Sequence, residues 1–169
     1  MSKRELTKYL TDLKKKELEV QIIDLYNRFS IVKEYYNFVF NPKEDKLAQD
    51  AKVRISNEYF PQTRKKAKTR RSVAQKSIKH FKGLGVDPHI TADLMLYNME
   101  IAQTYSIEKT LPASFFKSME NSFKELVLYV SVNGLLGDFK KRIVAAYLFT
   151  TENNWPNKEE FAKSLDILD

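Results

Sequence analysis

Residues 126–132 read LVLYVSV and run directly into Asn133-Gly134. Valine and tyrosine favour strands, and Asn-Gly between apolar runs is a strong hairpin signal. If this stretch were a strand, the chain would be a mixed α+β protein. Two features argue the other way. The returning segment LLGDFKK makes a poor second strand, and Phe115, Met119, Phe123, Leu126, Val127 and Val130 form one unbroken stripe at helical spacing from Pro112 onward. A helix is therefore predicted here, and with it an all-α fold.

The rest of the chain agrees. Gly and Pro number only four and five in 169 residues and sit at punctuation points, with stretches of helical periodicity between them. Ser2 with Glu5 has capping-box spacing and opens a helix carrying Leu6, Leu10 and Leu13. The stripe slips near Lys14-Lys15-Lys16 to Leu18, Ile22, Leu25, Tyr26 and Phe29, so two helices packed as a hairpin are expected there. A short helix with Ile31, Tyr35, Phe38 and Val39 stops before Pro42, and a half-exposed one with Leu47, Ala51 and Ile55 ends near Tyr59. Asp87-Pro88 reads as an N-cap followed by proline in the first turn. The helix after it, with Ile90, Leu94, Tyr97, Ile101 and Tyr105 on one stripe and Met95, Leu96 and Met99 beside it, is apolar enough to sit at the centre of the core. Phe139, Ile143, Val144, Tyr147 and Leu148 mark a further helix, and Asn157 with Glu160 a capping box for the last. No repeat of fixed period is present. The expected fold is one irregular multi-helical bundle of about eight helices over residues 1–169, compatible with stacked helical hairpins, with a basic loop at about 61–71.

Several functions are excluded or unsupported. Without Cys there is no disulfide, thiolate nucleophile or zinc-thiolate site. The first residues carry charge instead of an apolar signal region, and apolar runs such as Leu126–Val130 and Ile143–Phe149 are far shorter than the roughly 20 residues of a membrane-spanning helix. A cytoplasmic protein that does not enter the membrane is expected. No nucleophile elbow, Walker loop or dinucleotide fingerprint occurs, and neither an enzymatic activity nor a cofactor is expected.

Charge supplies the positive signal. Residues 63–82, TRKKAKTRRSVAQKSIKHFK, hold nine Lys or Arg and no acid. The other residues are close to neutral, so this segment contains the whole net charge of +7. Its first part has no apolar residue larger than Ala and is expected to be a loop. From Ser72, taken as N-cap with Gln75 in the capping-box position, a helix should place Val73, Ala74, Ser77, Ile78, Phe81 and Leu84 inward and Lys76, Lys79 and Lys82 outward. Arg64, Lys65, Lys66, Lys68, Arg70, Arg71, Lys76, Lys79 and Lys82 are the candidate nucleic-acid ligands, for DNA or RNA without sequence specificity. An acidic partner protein could answer the same charge, as in an interaction scaffold. So could the chain's own C-terminal part, where Glu152, Glu159, Glu160, Asp166 and Asp169 outweigh Lys158 and Lys163. A third role, a metal-dependent enzyme, rests on His89, Asp93 and Glu100, which share a face of the central helix. Pairing of Glu100 with Arg142 or a lysine is the simpler expectation for that set.

The segments MSKRELTKYLTDL, VKEYYNFVFNP, EYFP, RRSVAQKSIKHFKGLGVDP and ADLMLYNME together resemble a family of small bacterial proteins classed as a domain of unknown function, over roughly the first 100 residues. The resemblance implies a helical, cytoplasmic protein of bacteria and brings no catalytic residues with it.

Overall fold

A computed structural model of the chain describes residues 1–63, 66–107 and 109–166. Among them are nine α-helices and no strand. The chain divides into two compact units, Met1–Lys43 and Glu44–Asp169.

The first unit holds α1 (Lys3–Thr11), α2 (Lys15–Arg28) and α3 (Ser30–Phe40). Ser2 and Glu5 form the expected reciprocal cap: Ser2 N–H donates to the Glu5 carboxylate at 2.6 Å, and Glu5 N–H donates to Ser2 Oγ at 3.3 Å. At the slip in the stripe, Lys14 is the N-cap of α2, and its N–H is accepted by Glu17 at 2.7 Å. Gln21 Nε2 donates to the Tyr9 hydroxyl at 2.6 Å and ties α1 to α2, while α2 and α3 pack on each other. No residue of these three helices is buried. Val20, Ile23, Ile31 and Phe40 are largely exposed.

The second unit is built around α6 (Pro88–Ser106), which packs against α4 (Glu44–Tyr59), α5 (Arg71–Leu84), α7 (Ala113–Val132) and α8 (Leu136–Glu152). Its central place follows from its composition: Ala92, Leu94, Leu96, Met99 and Ala102 are all fully buried. Asp87 caps it as expected, accepting from His89 N–H at 2.7 Å ahead of Pro88.

The ambiguous stretch 126–132 lies in the last two turns of α7. A strand would bury alternate residues, Leu126, Leu128, Val130 and Val132. Instead Leu126, Val127 and Val130 are fully buried, while Leu128 and Val132 are 54% and 76% exposed. Burial therefore follows the helical period. Asn133-Gly134 ends the helix, with Gly134 in the left-handed region at φ 69°.

The last helix, α9 (Lys158–Leu165), packs on α7 and α8. Its Phe161 ring lies 5.0 Å from Phe123 and 5.7 Å from Trp155, which also meets Phe115, Phe116 and Phe149. Asn157 stands at the N-cap of α9, but its side chain does not cap the helix. It donates to Phe116 O at 2.9 Å and to the Glu120 carboxylate at 3.1 Å. The expected capping box is replaced by a polar tie to α7 because Glu120, only 1% exposed, needs donors.

Lys117 and Lys124 each donate to Glu120 at 2.8 Å. Burial pushes the Glu120 carboxyl up, but these hydrogen bonds outweigh it and hold the pKa down to about 2. The ordinary value is 4.5, so the stabilisation from this carboxylate is complete above pH 4.5 and is lost as pH falls toward 2. Glu120→Gln is therefore expected to lower the urea midpoint at pH 7 and to lose less of it than the parent between pH 4.5 and 2. Urea titrations across that range check both expectations, and parallel pH profiles would contradict them.

Candidate nucleic-acid interface

The helix carrying the lysine row is anchored from one side. On α5, Ala74, Ser77, Ile78, Phe81 and Leu84 are buried, whereas Lys76, Lys79 and Lys82 are exposed. Gly85, at φ 75°, stops the helix in a left-handed C-cap, and its N–H donates to Phe81 O. The start differs from expectation. The N-cap is Arg70, and Ser72 lies inside the first turn and makes no cap, so Gln75 has no capping-box role.

Arg70 is fixed at that position by Glu58, near the end of α4. The Glu58 carboxylate, 4% exposed, accepts from Arg70 Nε at 3.0 Å, Nη2 at 2.9 Å and backbone N–H at 3.2 Å. Lys68 and Thr69 donate their backbone N–H groups to Glu58 O at 3.1 and 3.0 Å. The hydrogen bond and charge of Glu58 raise the pKa of Arg70, as a fork-on-carboxylate pair should. Residues 68–70 are thus held against α4. Glu58 falls on the Ala51–Ile55 stripe at i+7, and that spacing is the sequence signal that marks it as a buried acid.

Arg71, unlike the exposed Arg70, turns inward. Its Nη2 donates to Ser122 Oγ on α7 at 2.7 Å, while its Nε and Nη1 are buried without partners. Burial lowers its pKa, opposed by Tyr59 and Glu125 nearby. Arg70 and Arg71 therefore serve the fold. Arg64 and Lys65 lie outside the described residues.

Lys66, Lys68, Lys76, Lys79 and Lys82 are exposed, and none has an ion-pair partner among the described residues. Lys82 Nζ lies 4.6 Å from the centre of the Tyr129 ring on α7, a cation–π contact. Of the C-terminal acids, Glu160 is engaged elsewhere, and Asp169 lies outside the described residues. Glu160 holds Lys163 at 2.6 Å and Lys124 at 3.8 Å.

The metal-like set resolves into ion pairs. Asp93 accepts from Arg142 Nη1 at 2.7 Å and from Lys52 Nζ at 2.6 Å, while Glu100 accepts from Arg142 Nε and Nη2 at 3.0 and 2.9 Å. Burial raises the Asp93 pKa, but the hydrogen bonds from Arg142 and Lys52 bring it below the ordinary value. The His89 ring lies 4.8 Å from that of Phe139. No group of three or more metal-ligating side chains is assembled among the described residues. None of the described helices is long and apolar enough to cross a membrane.

Among the described residues these features define an all-helical protein with a lysine-lined face on α5. The chain belongs to the family of unknown function DUF6155, whose model matches residues 1–169. The match includes the C-terminal third, beyond the first 100 residues whose motifs carried the resemblance. Comparison with curated proteins and with solved structures returns no match.

Proposed function

We propose that the chain is a non-enzymatic helical module that binds nucleic acid without sequence specificity through Lys66, Lys68, Lys76, Lys79 and Lys82. The observation that supports this most is the open lysine row on α5. Three like charges stand one turn apart on a helix buried along its other side, with no acidic partner among the described residues. Rigid cations suit a phosphate backbone, which needs charge at fixed spacing and no base readout. Arg70 and Arg71 drop out of the contact set because their guanidinium groups are engaged by Glu58 and Ser122.

With about five phosphates contacted, log affinity should fall against log salt with a slope of roughly −4.5 on duplex DNA and −3.5 on a single strand. Titrating labelled oligonucleotide at several salt concentrations measures it. Absence of binding at the lowest salt would overturn the proposal. Recovery of one stoichiometric acidic protein after nuclease treatment would favour the other reading of the same face, a scaffold that docks an acidic partner.

A further inference from the structure

A cleft of about 350 Å³ opens beside the lysine row, between α5 and α7 and floored by α6. Both walls pack on α6, and they are bridged at two places along their length, by Arg71 on Ser122 and by Lys82 over Tyr129. Its volume is at the lower end of the range of small-ligand sites.

At its floor lies Asn98, 1% exposed, whose side-chain carbonyl oxygen is buried and accepts no hydrogen bond. A buried acceptor left unpaired is rare in a folded protein, and Asn98, a residue of the cleft wall, can meet a donor in the cleft by turning its amide toward the opening. Ile78 and Met95 supply the apolar surface next to it. Thioether sulfur and aliphatic carbon suit a flat aromatic ring. Gln75 on the rim offers both a donor and an acceptor. Ser122 Oγ already accepts from Arg71, which leaves its own proton to donate. Glu125 on the α7 wall accepts from an amine and repels a phosphate, whereas Lys79 and Lys82 on the α5 rim attract one. The ligand implied has a flat ring bearing N–H donors, joined to a phosphate held at one side.

We infer that this cleft receives the unpaired base of a single nucleic-acid strand, the Asn98 amide turning to meet its N–H edge and its flanking phosphates resting on Lys79 and Lys82. A paired and stacked base cannot enter, so the cleft gives the lysine face a preference for single strands. The inference rests on the phosphate contacts proposed above and adds a base-dependent contribution to them.

The test compares a single-stranded oligonucleotide with an abasic strand of the same length and charge, at one low salt concentration. The parent should bind the normal strand at least about tenfold more tightly than the abasic one. Asn98→Leu should bring that ratio close to one while the abasic affinity stays as it was. Because Asn98 is buried, Gln75→Ala on the exposed rim serves as a second variant and should reduce the ratio without affecting the melt. Equal affinity of the parent for the two strands would overturn the cleft assignment and leave the lysine contacts standing. Binding of neither strand would overturn the lysine contacts, and the cleft assignment with them.

Discussion

Replacing Lys76, Lys79 and Lys82 together by Glu is expected to abolish measurable nucleic-acid binding at low salt, a loss of at least about a hundredfold, while the protein still folds and melts in one cooperative transition shifted by a few degrees at most. Each substitution removes a phosphate contact and places a repelling carboxylate at the same point, so three of the five proposed contacts turn unfavourable. The fold should tolerate it, because all three side chains are exposed and none makes an ion pair among the described residues. Surface changes of this kind ordinarily alter stability by less than about 0.5 kcal/mol, with up to about 1 kcal/mol more where Lys82 leaves the Tyr129 ring. Fluorescence anisotropy and a thermal melt on the same sample separate the two effects. Undiminished binding by a folded triple variant would show that the contact lies elsewhere.

The largest stability effect is expected at the opposite face of the same helix. Phe81 is fully buried, and Phe81→Ala should cost about 3–5 kcal/mol through lost transfer energy and the cavity left behind. Against a typical total of 5–15 kcal/mol that is a large fraction, and the urea midpoint should fall accordingly. A loss below about 1 kcal/mol would mean that Phe81 does not anchor α5. The pair of experiments divides one helix into a binding face and a packing face, as the separation of Lys76, Lys79 and Lys82 from Ala74, Ile78 and Phe81 requires.

Much of the helical layout was legible from spacing alone. The stripe from Phe115 to Val130 identified α7 despite its strand-like composition, because packing on one side of a helix selects residues by angle and not by residue type. Asp87-Pro88 and Ser2 with Glu5 marked true helix starts, since their caps depend only on nearby residues. Ser72 and Asn157 failed as caps for the opposite reason. Arg70 is held at the N-cap by Glu58, twelve residues earlier, and the Asn157 amide is drawn to Glu120 on α7. Long-range polar partners override a local motif.

The candidate site was legible in part. The amphipathic split of residues 73–84 placed the three outward lysines. A count of charges, however, could not tell that Arg70 is paired with Glu58 and that Arg71 folds inward, because their partners lie on α4 and α7. Glu58, Asn98 and Glu120 each interrupt an apolar stripe at helical spacing, and such interruptions are the sequence-level trace of buried polar groups. In the first unit the stripes of Leu6, Leu25 and Ile31 form helices as expected, yet those side chains remain exposed because three short helices provide too little surface to bury them.

Protection of individual lysines locates the bound nucleic acid on the protein. Lysines are acetylated briefly in the free protein and with saturating single-stranded oligonucleotide, and each position is then read by mass spectrometry. Lys66, Lys68, Lys76, Lys79 and Lys82 should become protected while Lys15, Lys117 and Lys163 react as before. Protection confined to other lysines, or none at any of these five, would contradict that location.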